Sequence, residues 1–304
     1  MLLPILGFFL GIALLSKLSD YAVDISVKLS KLTGIIKLTI GIIVIALMTS
    51  LPELAITITS SISKVGKLAY GTMVGSNIAD ILLVLGAASA IYGINISKRN
   101  IIHATEIIVI TSGLLAYGFF YGYDIVFGFL GIIIFGLLAD RLLHKKTEQE
   151  AETSSSIGEI IVTLTKLVVV IIFILLSAEL VTRSVIEISN YFGISETLIG
   201  ATIIGITTSL PELAVVLSAA KKKENEIVFG TIFGSCFINI SLVLGIGALI
   251  SPILIGFRET VVFVFLLFTY IVTLLFMKYK LERFEGVIML FIYALFVLLM
   301  ASLG

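Results

Sequence analysis

The chain contains the same stretch of sequence twice, 159 residues apart. Residues 41–91 align with residues 200–250 without a gap, and 20 of these 51 positions are identical. The shared stretch includes the heptapeptide TSLPELA, at 49–55 and again at 208–214. Unrelated segments would share only a few positions. The agreement indicates an internal duplication, so any fold of this chain must accommodate two similar halves.

Both copies lie in sequence that is apolar enough for the interior of a membrane. Hydrophobic residues make up 59% of the 304 residues and charged residues 13%, whereas a soluble domain has about 25% charged residues. A helix needs about 20 mostly apolar residues to cross a bilayer. The segments that meet this requirement lie near 2–27, 35–60, 68–93, 101–120, 123–143, 158–188, 195–220, 227–252, 259–277 and 285–303. We therefore predict an all-α membrane protein with ten transmembrane helices.

Ten helices in two repeats give five helices per repeat, which is an odd number. The two repeats must therefore enter the membrane from opposite sides. We predict a first five-helix repeat at 1–143, a linker at 144–157 and a second, inverted five-helix repeat at 158–304. Inverted repeats are typical of secondary transporters, whose substrate site lies near the bilayer midplane where the repeats meet.

The distribution of Lys and Arg predicts the orientation in the membrane. Loops on one side carry 14 of these residues, and loops on the other side carry four. Because cytoplasmic loops carry the excess of positive charge, we expect both termini outside the plasma membrane and the polar stretch 144–156 in the cytoplasm. The formal net charge is zero, which gives no reason to expect nucleic acid as a partner.

Each copy of TSLPELA places a glutamate and a proline inside a predicted span. A carboxylate at the bilayer centre costs about 3 kcal/mol on insertion scales, so Glu53 and Glu212 are expected to face a cavity or to bind a cation. Pro52 and Pro211 lack an N–H group and therefore free backbone carbonyls nearby. A glutamate with free carbonyls and hydroxyls makes a ligand set composed only of oxygen.

The polar residues around each glutamate recur at helical spacing and so share one face of a helix. The two sets, with a matching stripe on the next span, are Thr49, Ser50 and Glu53 with Thr72, Ser76 and Asp80, and Thr208, Ser209 and Glu212 with Thr231, Ser235 and Asn239. The pairs Gly71–Gly75 and Gly230–Gly234 have the G-x-x-x-G spacing that lets two helices approach closely.

Oxygen ligands suit hard cations, and Mg²⁺ is less well suited than Ca²⁺ because it demands tight octahedral geometry. Borderline metals would require His or Cys ligands. His103 and His144 are expected at span ends in contact with solvent, and Cys236 is the single cysteine.

The motifs TSLPEL with GSNIAD, and TSLPEL with GSCFIN, resemble the two α-repeats of the calcium/cation antiporter superfamily. The closest branch is that of the prokaryotic Na⁺/Ca²⁺ exchangers, and the resemblance covers the whole chain. It implies exchange of Na⁺ for Ca²⁺ by alternating access, with no enzymatic activity, no cofactor besides the transported ions and no obligate protein partner. The ligands that it implies are the side chains of Thr49, Ser50, Glu53, Ser76, Asp80, Thr208, Ser209, Glu212, Ser235 and Asn239, and the backbone carbonyls of Ala46 and Gly205.

Three alternatives remain open from the sequence. The aspartate Asp80 also has counterparts in K⁺-dependent exchangers, so K⁺ co-transport is one alternative. Exchange of H⁺ for Ca²⁺ is another, and a cation channel is a rival from a different class, since its selectivity can also rest on acidic side chains.

Two further acids, Asp20 and Glu179, occupy the first and sixth spans, where we expect them to pair helices or to line a vestibule. No role is assigned to Lys17.

Overall fold

The computed structural model describes residues 2–64, 66–144, 157–191, 209–278 and 280–303. These residues are nearly all helical, which confirms the predicted all-α class. Within them, eight helices are long and apolar enough to cross a membrane, or nine if the bent pair Lys37–Thr49 and Leu51–Ile62 counts as one span. The predicted span at 195–220 lies partly outside the described residues, and its second part is the helix Leu210–Lys221.

The helices of the described residues are α1 Leu2–Thr33, α2 Lys37–Ile40, α3 Ala46–Thr49, α4 Leu51–Ile62, α5 Gly66–Ala79, α6 Gly86–Tyr92, α7 Lys98–Tyr121, α8 Ile125–Leu143, α9 Ile157–Tyr191, α10 Leu210–Lys221, α11 Asn225–Ile238, α12 Leu244–Ile250, α13 Phe257–Phe276 and α14 Arg283–Leu303. Three π-helical turns join some of them: π1 Gly41–Ile45 between α2 and α3, π2 Asp80–Leu85 between α5 and α6, and π3 Asn239–Val243 between α11 and α12. Two short strands, β1 Ile94–Asn95 and β2 Lys280–Leu281, pair antiparallel.

The centre of the bundle is the span formed by α11, π3 and α12. Of its apolar stretch, 94% is buried inside the protein, against 17% for α1. Helix α11 packs against α2, π1 and α3 of the other half. A Cβ atom on Gly230 would lie 2.5 Å from the carbonyl oxygen of Leu38, and one on Gly234 would lie 2.6 Å from Cα of Ile42. The close approach predicted for this glycine pair is confirmed.

The first glycine pair differs from the second. A Cβ atom on Gly71 or Gly75 would have no described residue within 4 Å. For these two glycines the predicted close approach of helices therefore has no partner in the part of the chain that the structure describes.

The two longest helices, α1 and α9, pack against each other along their length in antiparallel directions. Near one end, a Cβ atom on Gly7 would lie 2.6 Å from Oγ of Ser184. Near the other end, Nζ of Lys28 lies 2.8 Å from Oε1 of Glu159. This pair therefore forms a unit beside the more deeply buried helices.

Loops that are predicted to share one side of the membrane contact one another. Lys37 pairs with Glu224 at 2.7 Å. The strands β1 and β2, from two other loops predicted on the same side, also pair. From two loops predicted on the opposite side, Tyr123 forms a backbone bridge with Ile253.

One helix contact occurs twice in the bundle. A Cβ atom on Gly86 of α6 would lie 3.3 Å from the carbonyl oxygen of Gly286 of α14. A Cβ atom on Gly245 of α12 would lie 3.3 Å from the carbonyl oxygen of Gly128 of α8. Gly245 is the repeat counterpart of Gly86, and Gly286 stands 158 residues after Gly128, one residue short of the repeat spacing.

Candidate cation-binding site

In both copies of TSLPEL a helix begins directly after the serine, at Leu51 and at Leu210. Ser50, between α3 and α4, has φ −82° and ψ 7°, and the axes on its two sides differ by 48°. Ser209, which precedes α10, has φ −88° and ψ 5°. Pro52 explains the break at Ser50 because it lacks the N–H group that would continue the hydrogen-bond ladder, and Pro211 has the same place in the first turn of α10.

Each glutamate lies in the first turn of the helix that begins after the serine. Glu53 lies in the first turn of α4 and Glu212 in the first turn of α10. The N-terminus of a helix carries a partial positive charge that stabilises a carboxylate. Their exposed fractions are 2% and 1%, so the helix N-termini compensate part of the desolvation of these two acids.

The π-turns lie beside other predicted ligands. Asp80 is the first residue of π2 and Asn239 the first residue of π3, and Ala46 directly follows π1. A π-turn shifts the carbonyl partner from the fourth to the fifth residue along the chain, and such turns occur frequently at functional sites. Asp80 and Asn239 are both buried.

Asp80 of the first half meets the second half of the chain. Its carboxyl group lies beside the hydroxyl groups of Ser235 and Ser209. The carboxyl group of Glu212 faces Asp80 and lies beside the hydroxyl of Thr49. Side chains from both halves therefore surround one region of the core.

The hydroxyl residues extend this arrangement. Oγ of Ser50 lies 3.4 Å from Oγ of Ser235, which joins the break in the first half to α11 in the second. Thr49 donates its hydroxyl to the carbonyl of Ile45 at 3.1 Å or to that of Ala46 at 3.2 Å. The Ala46 carbonyl also accepts the Ser50 N–H at 3.0 Å. With a cation on the Ala46 carbonyl, the Thr49 hydroxyl would donate to the Ile45 carbonyl instead.

Several buried oxygens of this region have no hydrogen-bond partner among the described residues. They are Oε1 and Oε2 of Glu212, Oδ2 of Asp80, Oγ of Ser209 and Oδ1 of Asn239. Buried polar atoms almost always have a partner, so a cluster of partnerless oxygens indicates a site for a ligand. With the carboxylates ionised, all but the serine oxygen only accept, which favours a cation.

The chemistry of this donor set fits a hard cation. Within the described part of the chain, no three His, Cys, Asp or Glu side chains form a cluster that could hold a metal by themselves. The carboxylates must therefore act together with hydroxyl and amide oxygens. Oxygen donors of this mixed kind suit Ca²⁺ and Na⁺ better than borderline metals.

The other predicted ligands have mixed outcomes. Glu53 is buried on α4, which packs against π3, and Ser76 is buried on α5. Thr208 and Gly205 lie outside the described residues. The ligand role of each residue remains a prediction, but the arrangement brings the described members into the buried core.

Sequence reasoning missed a polar network beside this region. Asn77 donates to the carbonyl of Cys236 at 3.0 Å and accepts from the Asn239 amide at 3.1 Å. Thr111 donates to the Tyr270 hydroxyl at 3.2 Å. The available signal was the presence of Asn, Thr and Tyr within otherwise apolar spans.

Two expectations outside the site have clear outcomes. His103 was expected to be solvated, but it is buried and lies 3.4 Å from Glu106. That expectation was wrong because α7 begins at Lys98, which places His103 more than one turn inside the helix. Asp20 accepts a hydrogen bond from Ser218 at 2.6 Å, so its expected role in pairing helices is confirmed for α1 and α10.

Comparisons with known proteins agree over the whole chain. A family model described as "Sodium/calcium exchanger protein" matches residues 3–148 and 162–301. The putative antiporter CaxA of Alkalimonas amylolytica is 32% identical over 267 residues, which cover 83% of this chain and 82% of CaxA. The sodium/calcium exchanger MaX1 of Methanosarcina acetivorans is 26% identical over 341 residues, with 96% of each chain covered.

A solved structure gives the same result for the fold. The sodium-calcium exchanger NCX_Mj, soaked with zero Na⁺ and Ca²⁺, is 28% identical and aligns with a TM-score of 0.84 over 100% of this chain and 99% of that one. The family match includes both copies of the TSLPEL motif and the buried oxygens around them. This chain therefore belongs to the sodium/calcium exchanger protein family.

Proposed function

We propose that this protein is a secondary-active antiporter that exchanges Na⁺ for Ca²⁺ by alternating access, with the ions bound between its two halves. The observation that carries the proposal is the cluster of buried, partnerless oxygens to which both halves contribute. Asp80 comes from the first half, and Glu212, Ser209 and Asn239 come from the second. The ligands are expected to be the twelve residues that the family motif implies.

Charge balance explains why such a site would exchange ions. Glu53 and Glu212 together carry two negative charges, which one Ca²⁺ or two Na⁺ would neutralise. Without a cation, the helix N-termini would compensate these two buried charges only in part, and the remaining desolvation of a buried charge costs several kcal/mol. A conformational change with an empty site is therefore unfavourable. The site changes its access from one side of the membrane to the other only with a cation bound. That requirement couples the two ion flows.

Reciprocal contacts support two inverted repeats, divided at 1–143, 144–157 and 158–304. In a two-fold arrangement, a contact between i and j recurs between their counterparts. The contact of Gly86 with Gly286 recurs, shifted by one residue, as that of Gly245 with Gly128. The contact of β1 with β2 recurs with the same shift as the bridge between Tyr123 and Ile253.

Contacts between counterpart residues support a pseudo-two-fold axis through the site. Asn77 bonds to Cys236, which stands 159 residues later. Thr111 bonds to Tyr270, also 159 residues later. A residue can touch its own counterpart only near the axis. Both pairs lie beside Asp80 and Asn239, so the proposed site is at the centre of the bundle, as expected for a transporter built from inverted repeats.

The proposed location is the plasma membrane, with both termini outside and the linker 144–156 in the cytoplasm. Ion pairs such as Lys37 with Glu224 and Lys222 with Asp24 support a common side for the loops richest in Lys and Arg. By the charge rule for loops, that side is cytoplasmic. Ca²⁺ would then leave the cell as Na⁺ enters.

A K⁺-dependent exchanger is the second candidate, and Asp80 is the observation that favours it. With Glu53 and Glu212, this residue gives the region a third carboxyl group, one more than Ca²⁺ requires. An additional monovalent cation would balance that charge.

Uptake of radioactive Ca²⁺ into Na⁺-loaded proteoliposomes tests these proposals, with K⁺ and pH varied independently. Na⁺/Ca²⁺ exchange requires Na⁺ inside and is unaffected by K⁺ at fixed pH. A requirement for K⁺ would favour the second candidate, and uptake driven by a pH gradient alone would favour H⁺/Ca²⁺ exchange. Uptake without any counter-ion would indicate a channel and overturn the proposal.

A further inference from the structure

The Asn77 side chain links the two halves directly behind the proposed cation site. It lies on α5, three residues before Asp80, and is fully buried. Its Nδ2 donates to the backbone carbonyl of Cys236 at 3.0 Å and to the hydroxyl of Tyr270 at 3.4 Å. Its Oδ1 accepts a hydrogen bond from Nδ2 of Asn239 at 3.1 Å.

These bonds fix the direction of both amide groups. A backbone carbonyl can only accept a hydrogen bond, so the Cys236 carbonyl must face the NH₂ end of Asn77. The oxygen of Asn77 then faces Asn239, which can meet it only with its own NH₂ group. That group also donates to Oγ of Ser235 at 3.4 Å.

These hydrogen bonds also determine where the oxygen of the Asn239 amide lies. Its Oδ1 is left without a hydrogen-bond partner among the described residues. It belongs to the same cluster of partnerless oxygens as Asp80 and Glu212. A reversed amide would present two N–H donors to the cation, which repel it, in place of an oxygen that binds it.

We propose that Asn77 is a positioning residue, which holds the Asn239 amide so that its oxygen faces the transported cation. The inference rests on the proposed function, since it concerns the same site. Asn77 itself need not touch the ion. It transmits the fixed direction of the Cys236 carbonyl to Asn239 through two hydrogen bonds.

The counterpart position in the other half provides an internal comparison. Cys236 is the repeat counterpart of Asn77, is equally buried and lies near Asp80. A carboxylate has two equivalent oxygens, so either direction of the Asp80 side chain presents oxygen to the cation. An amide has only one oxygen. The orienting amide therefore stands beside the residue that needs orienting, and a thiol stands beside the residue that does not.

The test compares Asn77→Ala in two backgrounds. One is the wild-type chain. The other carries the exchange Asp80→Asn with Asn239→Asp, which keeps the number of carboxyl groups but places two equivalent oxygens at position 239. The measurement is the apparent cation affinity, from the rise in melting temperature of purified protein in detergent as Ca²⁺, Na⁺ and K⁺ are titrated in turn.

In the wild-type background, Asn77→Ala is expected to weaken Ca²⁺ affinity about tenfold, the effect of losing a hydrogen bond that orients a ligand. In the exchanged background the same substitution is expected to weaken it less than about threefold, because a carboxylate at position 239 presents oxygen in either direction. The matched control is Cys236→Ala in the wild-type background, which should change the affinity less than about twofold, since it orients no amide.

Equal losses of affinity in both backgrounds would mean a purely structural role for Asn77 and would overturn the proposal. No loss in the wild-type background would do so too. An exchanged background that binds no cation would also overturn it, because an oxygen at position 239 would then not be what the site requires. A wild type that binds Ca²⁺ in this assay but exchanges no Na⁺ in proteoliposomes would overturn the proposed function alone. A wild type stabilised by none of the three cations would overturn both.

Discussion

The two halves of the candidate site share their backbone but differ in charge. The serine before each helix, Ser50 or Ser209, has nearly the same dihedral angles, and each following helix begins with a buried glutamate in its first turn. In the next span, a π-turn begins at Asp80 in one half and at Asn239 in the other. Proline and serine fix the backbone in both copies. The buried side chains around the proposed site, in contrast, come from both halves. The second half can therefore have the uncharged Asn239 where the first half has Asp80.

A second difference concerns the first helix of each half. Asp20 of α1 accepts a hydrogen bond from Ser218 of α10 at 2.6 Å. Its counterpart Glu179 on α9 is exposed and pairs at 2.7 Å with Arg183 on its own helix. Under the proposed alternating access, a single conformation must break the symmetry of the proposed repeats. These two acids identify where that symmetry is broken.

The largest expected effect tests whether the two glutamates are equivalent. Glu53→Gln and Glu212→Gln should each lower Na⁺-driven Ca²⁺ uptake at least about a hundredfold, because one charge is lost where the local dielectric is low. Uptake into proteoliposomes measures the loss, and the melting temperature without cations checks that each variant folds. Near-normal uptake in either variant would contradict the assignment of that glutamate as a ligand.

A smaller effect is expected at the position where the halves differ. Asp80→Asn should keep Ca²⁺ uptake within about tenfold of wild type, or about 1.4 kcal/mol. The reason is that Asn239 already occupies the counterpart position without a charge, while Glu53 and Glu212 suffice for Ca²⁺. Any stimulation by K⁺ should decrease in the same variant.

Parallel measurement of Asp80→Asn and Glu53→Gln makes this prediction decisive. If both variants are equally inactive, Asp80 carries a charge that transport requires. The two halves would then differ in function at this position, although their backbones are alike.

The smallest effect concerns the asymmetry of the first helices. Asp20→Asn should shift the conformational equilibrium about two- to fivefold away from the described state, since partly exposed charge pairs contribute little. Spin labels at Tyr21 and Lys223, in a Cys236→Ala background, would report the shift as a change in the distribution of distances between α1 and the end of α10. Glu179→Gln is the matched control and should leave that distribution unchanged, because Glu179 forms its ion pair with Arg183 on its own helix. An equal change in both variants would rule out the Asp20 contact as the source of the asymmetry.

Hydropathy and two prolines were sufficient to predict much of the fold. A run of about 20 apolar residues has few alternatives to a helix in lipid, and Pro52 predicted free carbonyls in mid-span, where the structure has the break at Ser50. The spacing of Ser235 and Asn239 predicted a shared face because i and i+4 are neighbours on a helix.

The rest depends on contacts that no local pattern encodes. The π-turns that begin at Asp80 and Asn239 change the hydrogen-bond ladder without changing hydropathy. Asn77 stands three residues before Asp80, but its partners Cys236 and Tyr270 belong to the other half of the chain. The hydrogen bonds that the Ala46 carbonyl accepts could not be predicted either. A sequence shows that a proline frees a carbonyl, but it does not show which other carbonyls accept a hydrogen bond from a nearby hydroxyl.

The glycine contacts between α6 and α14, and between α12 and α8, have a consequence for biosynthesis. They join the halves as subunits of a dimer are joined, through close van der Waals contact of small residues. The first half leaves the ribosome before α12 and α14 are synthesised. Until then, the glycine-containing faces of α6 and α8 have no partner helix in the bilayer. Two separately encoded polypeptides, divided within the polar stretch 145–156, should therefore assemble when produced together. Either one alone should be degraded, because the surface that completes it is on the other.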